Sequence, residues 1–188
     1  MSVKRCNWSK LEHSKTYREY HDFEWGVASY EDEYLFEMLV LESFHCGLSW
    51  LIILNKRAAF KNAFDQFDPY VIKDYGLDKI KELSENKAIV RNLAKIKATI
   101  SNAAAFIKVK EEFGSFSKYI WSFTNNQIIY NEDDILRTTS DLSDKVSKDF
   151  KKRGFKFMGS VTTYSYLEAI GVLNNHSLEC FRSKFNQK

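Results

Sequence analysis

The chain has 188 residues, with 28 Lys and Arg against 25 Asp and Glu for a formal charge of +3; this suits one domain with a sizeable core and excludes a histone-like polycation. Aromatic residues make up 15%, while seven Gly and one Pro are about a third of the usual share. Too few turn formers remain for a loop-rich β-fold, a collagen-like chain or a disordered one, and helices are expected.

The first predicted helix runs from Glu31 to Cys46, with Leu35, Met38, Leu39 and Cys46 on one stripe and Glu33 and Glu37 facing away. Gly47 ends it. Ser49 is the expected N-cap of a second helix carrying Trp50, Leu51, Ile53 and Leu54 towards Phe60 and Phe64. Asp68-Pro69 opens a short helix by the rule of a cap followed by proline, and Gly76 closes it. Helical segments at Asp78 to Glu85 and Val90 to Glu112, joined by Asn86 to Ile89, form a candidate DNA-binding hairpin over residues 78–112. Helices around Ser117 to Phe123, Leu142 to Arg153 and Thr162 to Ile170 complete an all-α fold of seven to nine helices with no strand.

Repeats, low-complexity tracts and linkers are not seen, so residues 1–188 read as a single helical domain. The longest apolar run, Trp50 to Leu54, is far short of the ~20 residues of a bilayer span. With no signal peptide, the expected location is the cytoplasm, without a membrane partner. Cys6, Cys46 and Cys180 are odd in number and widely spaced, which argues against a disulfide framework.

One charged residue breaks the apolar stripe of the first helix. Glu42 lies three residues after Leu39, seven after Leu35 and four before Cys46, where an ionised carboxylate costs several kcal/mol unless it is paired. It is either a functional acid or a structural one that caps a helix or pairs with a buried Arg. The chain's ends offer metal ligands: His176-x-x-x-Cys180 and Cys6 with His13 or His21. Two thiols and two imidazoles suit tetrahedral zinc, although a buried thiol beside a surface histidine is the commoner meaning of such a pair. Near the front, Trp8, Tyr17, Tyr20, Phe23, Trp25 and then Trp50 are core formers or stacking surfaces for a nucleobase. Lys151, Lys152, Arg153 and Lys156, and Lys87, Arg91, Lys95 and Lys97 by the hairpin, are phosphate contacts or solvated helix faces. Gly154 to Ser160 mimics the first spacing of a P-loop, but Ser160 stands where the lysine is required.

Taken together, the segments Tyr20 to Gly26 (YHDFEWG), Leu35 to Trp50 (LFEMLVLESFHCGLSW), Lys152 to Gly159 (KRGFKFMG) and His176-x-x-x-Cys180 carry a resemblance to the bacterial DNA-3-methyladenine glycosylase I (Tag) family. The likeness extends from Cys6 to Cys180. It implies a helix-hairpin-helix glycosylase-like helical bundle in which one structural zinc ion, held by Cys6, His21, His176 and Cys180, joins the N- and C-terminal segments 1–25 and 172–188. His13 is then set aside.

The same resemblance makes Glu42 the pocket's catalytic carboxylate and Tyr17, Tyr20 and Trp50 its base-binding aromatics, with Tyr20 and Trp50 stacking on the base. Leu48 becomes the wedge that fills the gap when a nucleotide leaves the stack. The implied partners are double-stranded DNA containing alkylated bases and the 3-methyladenine base, acted on by a monomer. The implied reaction is monofunctional, leaving an abasic site, since no lysine stands at a nucleophile position. The aspartate that related superfamily members carry after the hairpin is absent from Ile100 to Ala105. Two departures stand out: Phe44, where a glutamine is expected, is predicted to narrow the pocket or remove a hydrogen bond, and Ala88 replaces a hairpin glycine. The alternative function is a non-catalytic helix-hairpin-helix module that only binds DNA.

Overall fold

The structure is a computed structural model that describes residues 3–186. Residues 1, 2, 187 and 188, the extremes of the two terminal segments expected to join at the metal, lie outside the described residues. Nine α-helices appear among the described residues: α1 (Lys15–Phe23), α2 (Asp32–His45), α3 (Trp50–Ala63), α4 (Pro69–Ile72), α5 (Leu77–Glu85), α6 (Leu93–Phe113), α7 (Phe116–Ser122), α8 (Asp141–Lys152) and α9 (Ser160–Ala169).

α2 is the central helix. Its ten residues from Leu35 to Phe44 are all buried, and α3, α6, α7 and α9 pack around it. The predicted one-sided stripe is therefore wrong. Glu37 does not face solvent: its Oε1 accepts from Arg57 Nε at 2.6 Å, while Arg57 Nη1 donates to Glu24 at 2.6 Å. A carboxylate can occupy a central helix because a guanidinium that bridges it to a second carboxylate answers it there. Cys46, predicted on the buried stripe, is the exposed residue after the helix's last turn.

Local chemistry sets most helix starts. Ser14 accepts from the Tyr17 amide, Asp68 from Tyr70, Asn92 from Lys95 and Ser115 from Lys118, and Ser140 forms a reciprocal capping pair with Ser143. α1 has no counterpart among the predicted helices, because Lys15–Phe23 is polar and its inward face is made of Tyr20 and His21. Gly76 does not close α4. Its φ of −85° is ordinary, and it is the residue from which α5 starts. The hairpin α5–α6 is present, but its connection runs from Asn86 to Asn92, three residues longer than predicted, because the chain turns helical only after the Asn92 cap.

Two pairs of residues, Ile129–Tyr130 and Leu173–Asn174, form a minute parallel sheet with Ile129 opposite Leu173, contrary to the strand-free expectation. Two residues show no alternation for a sequence pattern to reveal. Among the glycines, Gly171 makes the closest backbone approach. Its φ is +75°, and a Cβ there would lie 2.2 Å from the Val27 carbonyl carbon, so only glycine fits. This lets the end of α9 lie on the segment after α1, where the Gly26 amide donates to Glu168 O at 2.9 Å.

Candidate base pocket and metal-ligand cluster

The junction of α1, α2, the start of α3 and α9 encloses a cavity of about 200 Å³ lined by Trp8, Tyr17, Tyr20, Trp25, Glu42, His45, Trp50, Ser165 and Glu168. The volume is below that of a site for a drug-sized molecule and suits one flat heterocycle. A larger cavity, about 430 Å³, lies beside Ile129 and Leu173, but its charged groups, Arg137 and Asp141, are exposed.

Glu42 is 3% exposed. Among the described residues its one hydrogen-bond partner is His45, whose Nδ1 donates to Oε2 at 3.1 Å. Burial pushes the Glu42 carboxyl up from its ordinary range, against the pull of His45. No Arg answers it, so the structural pairing with a buried Arg considered for this acid does not occur. Trp50 is 9% exposed, and its Nε1 is the one buried side-chain nitrogen or oxygen among the described residues without a partner. An unmet donor of this kind is costly and marks a place where a ligand atom belongs. The Tyr20 and Trp50 rings meet at 5.4 Å and 56°, making a corner in place of two parallel faces. Burial, and then the Glu42 charge, hold the Tyr20 hydroxyl well above its ordinary range, so it stays a neutral donor.

Every predicted pocket residue, Tyr17, Tyr20, Glu42 and Trp50, lines this cavity. Leu48 is not among the lining residues; it is exposed on the turn between His45 and Trp50, which are. Phe44 does not narrow the pocket: it points the other way, into the core against Phe60 and Phe64. Sequence reasoning missed His45, Ser165 and Glu168. His45 sits three residues from Glu42, a helical spacing that signals a pair, whereas Glu168 reaches the cavity through the tertiary packing of α9. Trp8 and Trp25 belong to the site as well, but Phe23 from the same aromatic run is 71% exposed.

Behind Trp8 and Trp25 lies a second buried cluster. Cys6, His21, His176 and Cys180 are all buried, and one ligand atom from each lies within 4.8 Å of the others. Cys180 Sγ is 3.4 Å from His176 Nδ1 and 3.7 Å from His21 Nε2, and Cys6 Sγ is 3.5 Å from His176 Nδ1. The outward ring nitrogens are held: His21 Nδ1 donates to Asp22 Oδ1 at 2.8 Å, and His176 Nε2 to Trp25 O at 2.9 Å. Arg5 in turn clamps Asp22. The donor set, its spacing and the oriented imidazoles fit a tetrahedral ion. His13, the discarded alternative, is exposed.

The basic residues divide. Lys87, Arg91 and Lys97 are exposed by the hairpin, but Lys95 is buried, with Nζ donating to the carbonyls of Phe44 (2.9 Å) and Cys46 (2.8 Å) at the end of α2. In the other cluster Lys151, Lys152 and Lys156 are exposed, whereas Arg153 is spent on Glu112 and Asp149. Lys95 and Arg153 are therefore structural ties and not phosphate contacts.

A helical fold with a buried acid and an unmet indole donor in a cavity for one flat heterocycle defines a class of protein that takes up a single base. The family model for methyladenine glycosylase matches residues 8–183. The chain is 36% identical over 181 residues to DNA-3-methyladenine glycosylase 1 of Escherichia coli (strain K12), covering 95% of this chain and 96% of that protein. A crystal structure of 3-methyladenine DNA glycosylase I superposes with a TM-score of 0.90 at 38% identity, covering 96% of this chain and all of that one. The Staphylococcus aureus enzyme, in a structure described as the basis of its 3-methyladenine recognition, gives 0.84 at 35% identity with 93% of each chain covered. The chain belongs to the methyladenine glycosylase family.

Proposed function

We propose that this protein is a DNA repair glycosylase that extrudes 3-methyladenine from alkylated double-stranded DNA and hydrolyses its N-glycosidic bond. The observation that carries the reading is Glu42, a buried acid with one histidine partner at the wall of a cavity for a single base. In the alkylated nucleoside, methylation at N3 makes the base a cation and hence a good leaving group. When the C1′–N bond breaks, its electron pair passes to the ring and neutralises the base. Water then adds its oxygen to the cationic C1′, its surplus proton passes to solvent, and an abasic site remains.

Glu42 accepts a hydrogen bond from the exocyclic amine and places negative charge near the developing sugar cation, which favours the transition state. Tyr20 and Trp50 supply a corner in which one ring stacks on the base and the other meets its edge. Tyr17 closes the same wall. Leu48 is the wedge that replaces the extruded nucleotide, supported by its exposure on the turn leading into Trp50. The helix-hairpin-helix element is α5–α6, whose exposed Lys87, Arg91 and Lys97 suit phosphates. Ala88 lies on its connection, with its amide turned to Asn86 Oδ1 and its carbonyl to Lys56. The absence of a lysine from the cavity lining supports a monofunctional reaction.

Cys6, His21, His176 and Cys180 are the proposed ligands of one structural zinc ion, supported by their burial and mutual spacing. The ion supplies cross-linking and no reaction step. A reducing bacterial cytosol, where both thiols survive, suits this site. We infer that residues 1–188 act as one monomeric domain.

The test is release of free 3-methyladenine from methylated DNA by the native protein and by Glu42→Gln. Native release, with a loss of about a hundredfold or more in the folded variant, is the expected result. DNA binding without any release by the native protein leaves the non-catalytic module in its place.

A further inference from the structure

The base cavity contains a second carboxyl. Glu168 lines it from α9, and Glu42 from α2. Its Oε1 accepts from Asn175 Nδ2 at 2.7 Å, and the same nitrogen lies 2.7 Å from the Tyr164 hydroxyl. No hydrogen bond to the other oxygen, Oε2, is made among the described residues. The titratable groups around the cavity are Tyr17, Tyr20, Glu42 and His45, with Tyr164 behind Asn175. His45 is taken by Glu42, and farther out Glu24 is neutralised by Arg57. The lining contains neither Lys nor Arg. With no Lys or Arg there, each carboxylate disfavours ionisation of the other, so one keeps a proton. Glu42, the one with a histidine donor, is the better placed to ionise.

Resting on the glycosylase reading above, we propose that Glu168 is a specificity-determining residue of the base pocket: fixed by Asn175, it donates a hydrogen bond from its free oxygen to a ring nitrogen of the bound base. Adenine offers an amine donor beside a ring-nitrogen acceptor, and guanine reverses the exocyclic group to an oxygen. An ionised Glu42 beside a protonated Glu168 presents the acceptor and donor that complement the adenine edge. A guanine edge sets its oxygen against the Glu42 carboxylate. The titration agrees with this assignment. Burial, opposed by the Asn175 hydrogen bond and reinforced by the Glu42 charge, pushes Glu168 up to about 8.

The experiment is calorimetric titration of the native full chain with free 3-methyladenine between about pH 6.5 and 9.5, in parallel with Glu168→Gln and Glu168→Leu. Tyr17 and Tyr20 are pushed above their ordinary range and stay neutral across this window. Native affinity is expected to hold to about pH 8 and then fall about tenfold per pH unit as the donor proton is lost. Glu168→Gln, whose amide donates at every pH, is expected to bind within about threefold of native at pH 7 and to show no alkaline fall. Glu168→Leu is expected to bind about tenfold more weakly at pH 7, without that fall. Native affinity unchanged to pH 9.5, an alkaline fall retained in Glu168→Gln, or native-like binding by Glu168→Leu overturns the proposal. If Glu168→Leu fails to fold, the native and Gln pH profiles still decide it. A native protein that neither binds the base nor releases it from methylated DNA overturns the glycosylase reading as well, whereas release with a flat native profile overturns the role of Glu168 alone.

Discussion

The base cavity and the Cys/His cluster are both buried, both polar, and share a wall, yet they are finished in opposite ways. Trp25 lies 4.5 Å from the His176 ring and Trp8 lies 4.9 Å from the His21 ring, while both indoles also line the cavity. In the cluster each imidazole has its outward nitrogen fixed and its inward nitrogen turned to sulfur. Among the described residues, in the cavity Glu42 has one partner, Trp50 Nε1 has none, and Glu168 leaves an oxygen uncommitted. An unmet buried polar group costs about 1–3 kcal/mol. The cluster is closed, as the proposed structural site requires; the cavity is left incomplete, as the proposed base pocket requires.

The largest test of this contrast is to remove the metal. Zinc binding in small sites is worth on the order of 10 kcal/mol of folding energy, and here the four ligands join residue 6 to residue 180. Chelation or Cys180→Ser is expected to abolish cooperative thermal unfolding of the native type, and base release with it. His13→Ala, at the exposed alternative, is expected to leave both unchanged. Calorimetry on metal-replete and chelated protein checks this. A chelated protein with an unchanged melting transition would refute the structural role of the ion.

Much of the fold was legible because helix starts are written locally: Ser49, Asp68 and Pro69 stand at the ends they predicted. Glu42 was legible for a related reason, since a charge among apolar residues violates the pattern around it. What was hidden depended on tertiary closure. α1 looks polar until Tyr20 and His21 find a cavity and a Cys/His cluster to face, and Glu37 looks solvent-facing until Arg57 arrives from α3. Glu168 is one carboxylate in a helix whose neighbours are largely buried, and it gains meaning only when α9 packs beside α2. The Cys/His set was ambiguous as two distant pairs, because no spacing rule links ligands 155 positions apart; the resemblance selected His21 over His13, and the geometry gathers the same four.

A middle-sized effect tests how the pocket floor is held. The end of α2 carries His45 and leads into the Leu48 turn, and Lys95 answers its carbonyls from inside the protein. Burial lowers the Lys95 pKa, yet the two carbonyls hold its ammonium in place. Lys95→Met keeps the apolar stem and removes the donors. Two carbonyls left without a partner are expected to cost about 1–3 kcal/mol, read by urea denaturation, with base release falling further than the stability loss explains because the His45–Leu48 turn loosens. A variant as stable and active as native would mean that water replaces the ammonium there without consequence.

A third effect concerns stability and not catalysis, and it sharpens the account of Glu168. Its carboxyl has an ordinary value of 4.5, raised to about 8 by burial. Between these values the unfolded chain has released the proton that the folded protein still holds. The folded state therefore binds more protons, and its stability declines as pH rises from about 4.5 to about 8, then levels off. Partial solvent access to Glu168 screens part of this penalty. Glu168→Gln has no proton to lose, so its stability relative to native is expected to climb across that window and stay constant above it. Melting temperatures of the two proteins at pH 5, 6.5, 8 and 9 measure the difference directly. A constant gap from pH 5 to 9 would show that Glu168 ionises as freely in the folded protein as in the unfolded chain, which would remove the donor from the adenine edge and leave Glu42 to read it alone.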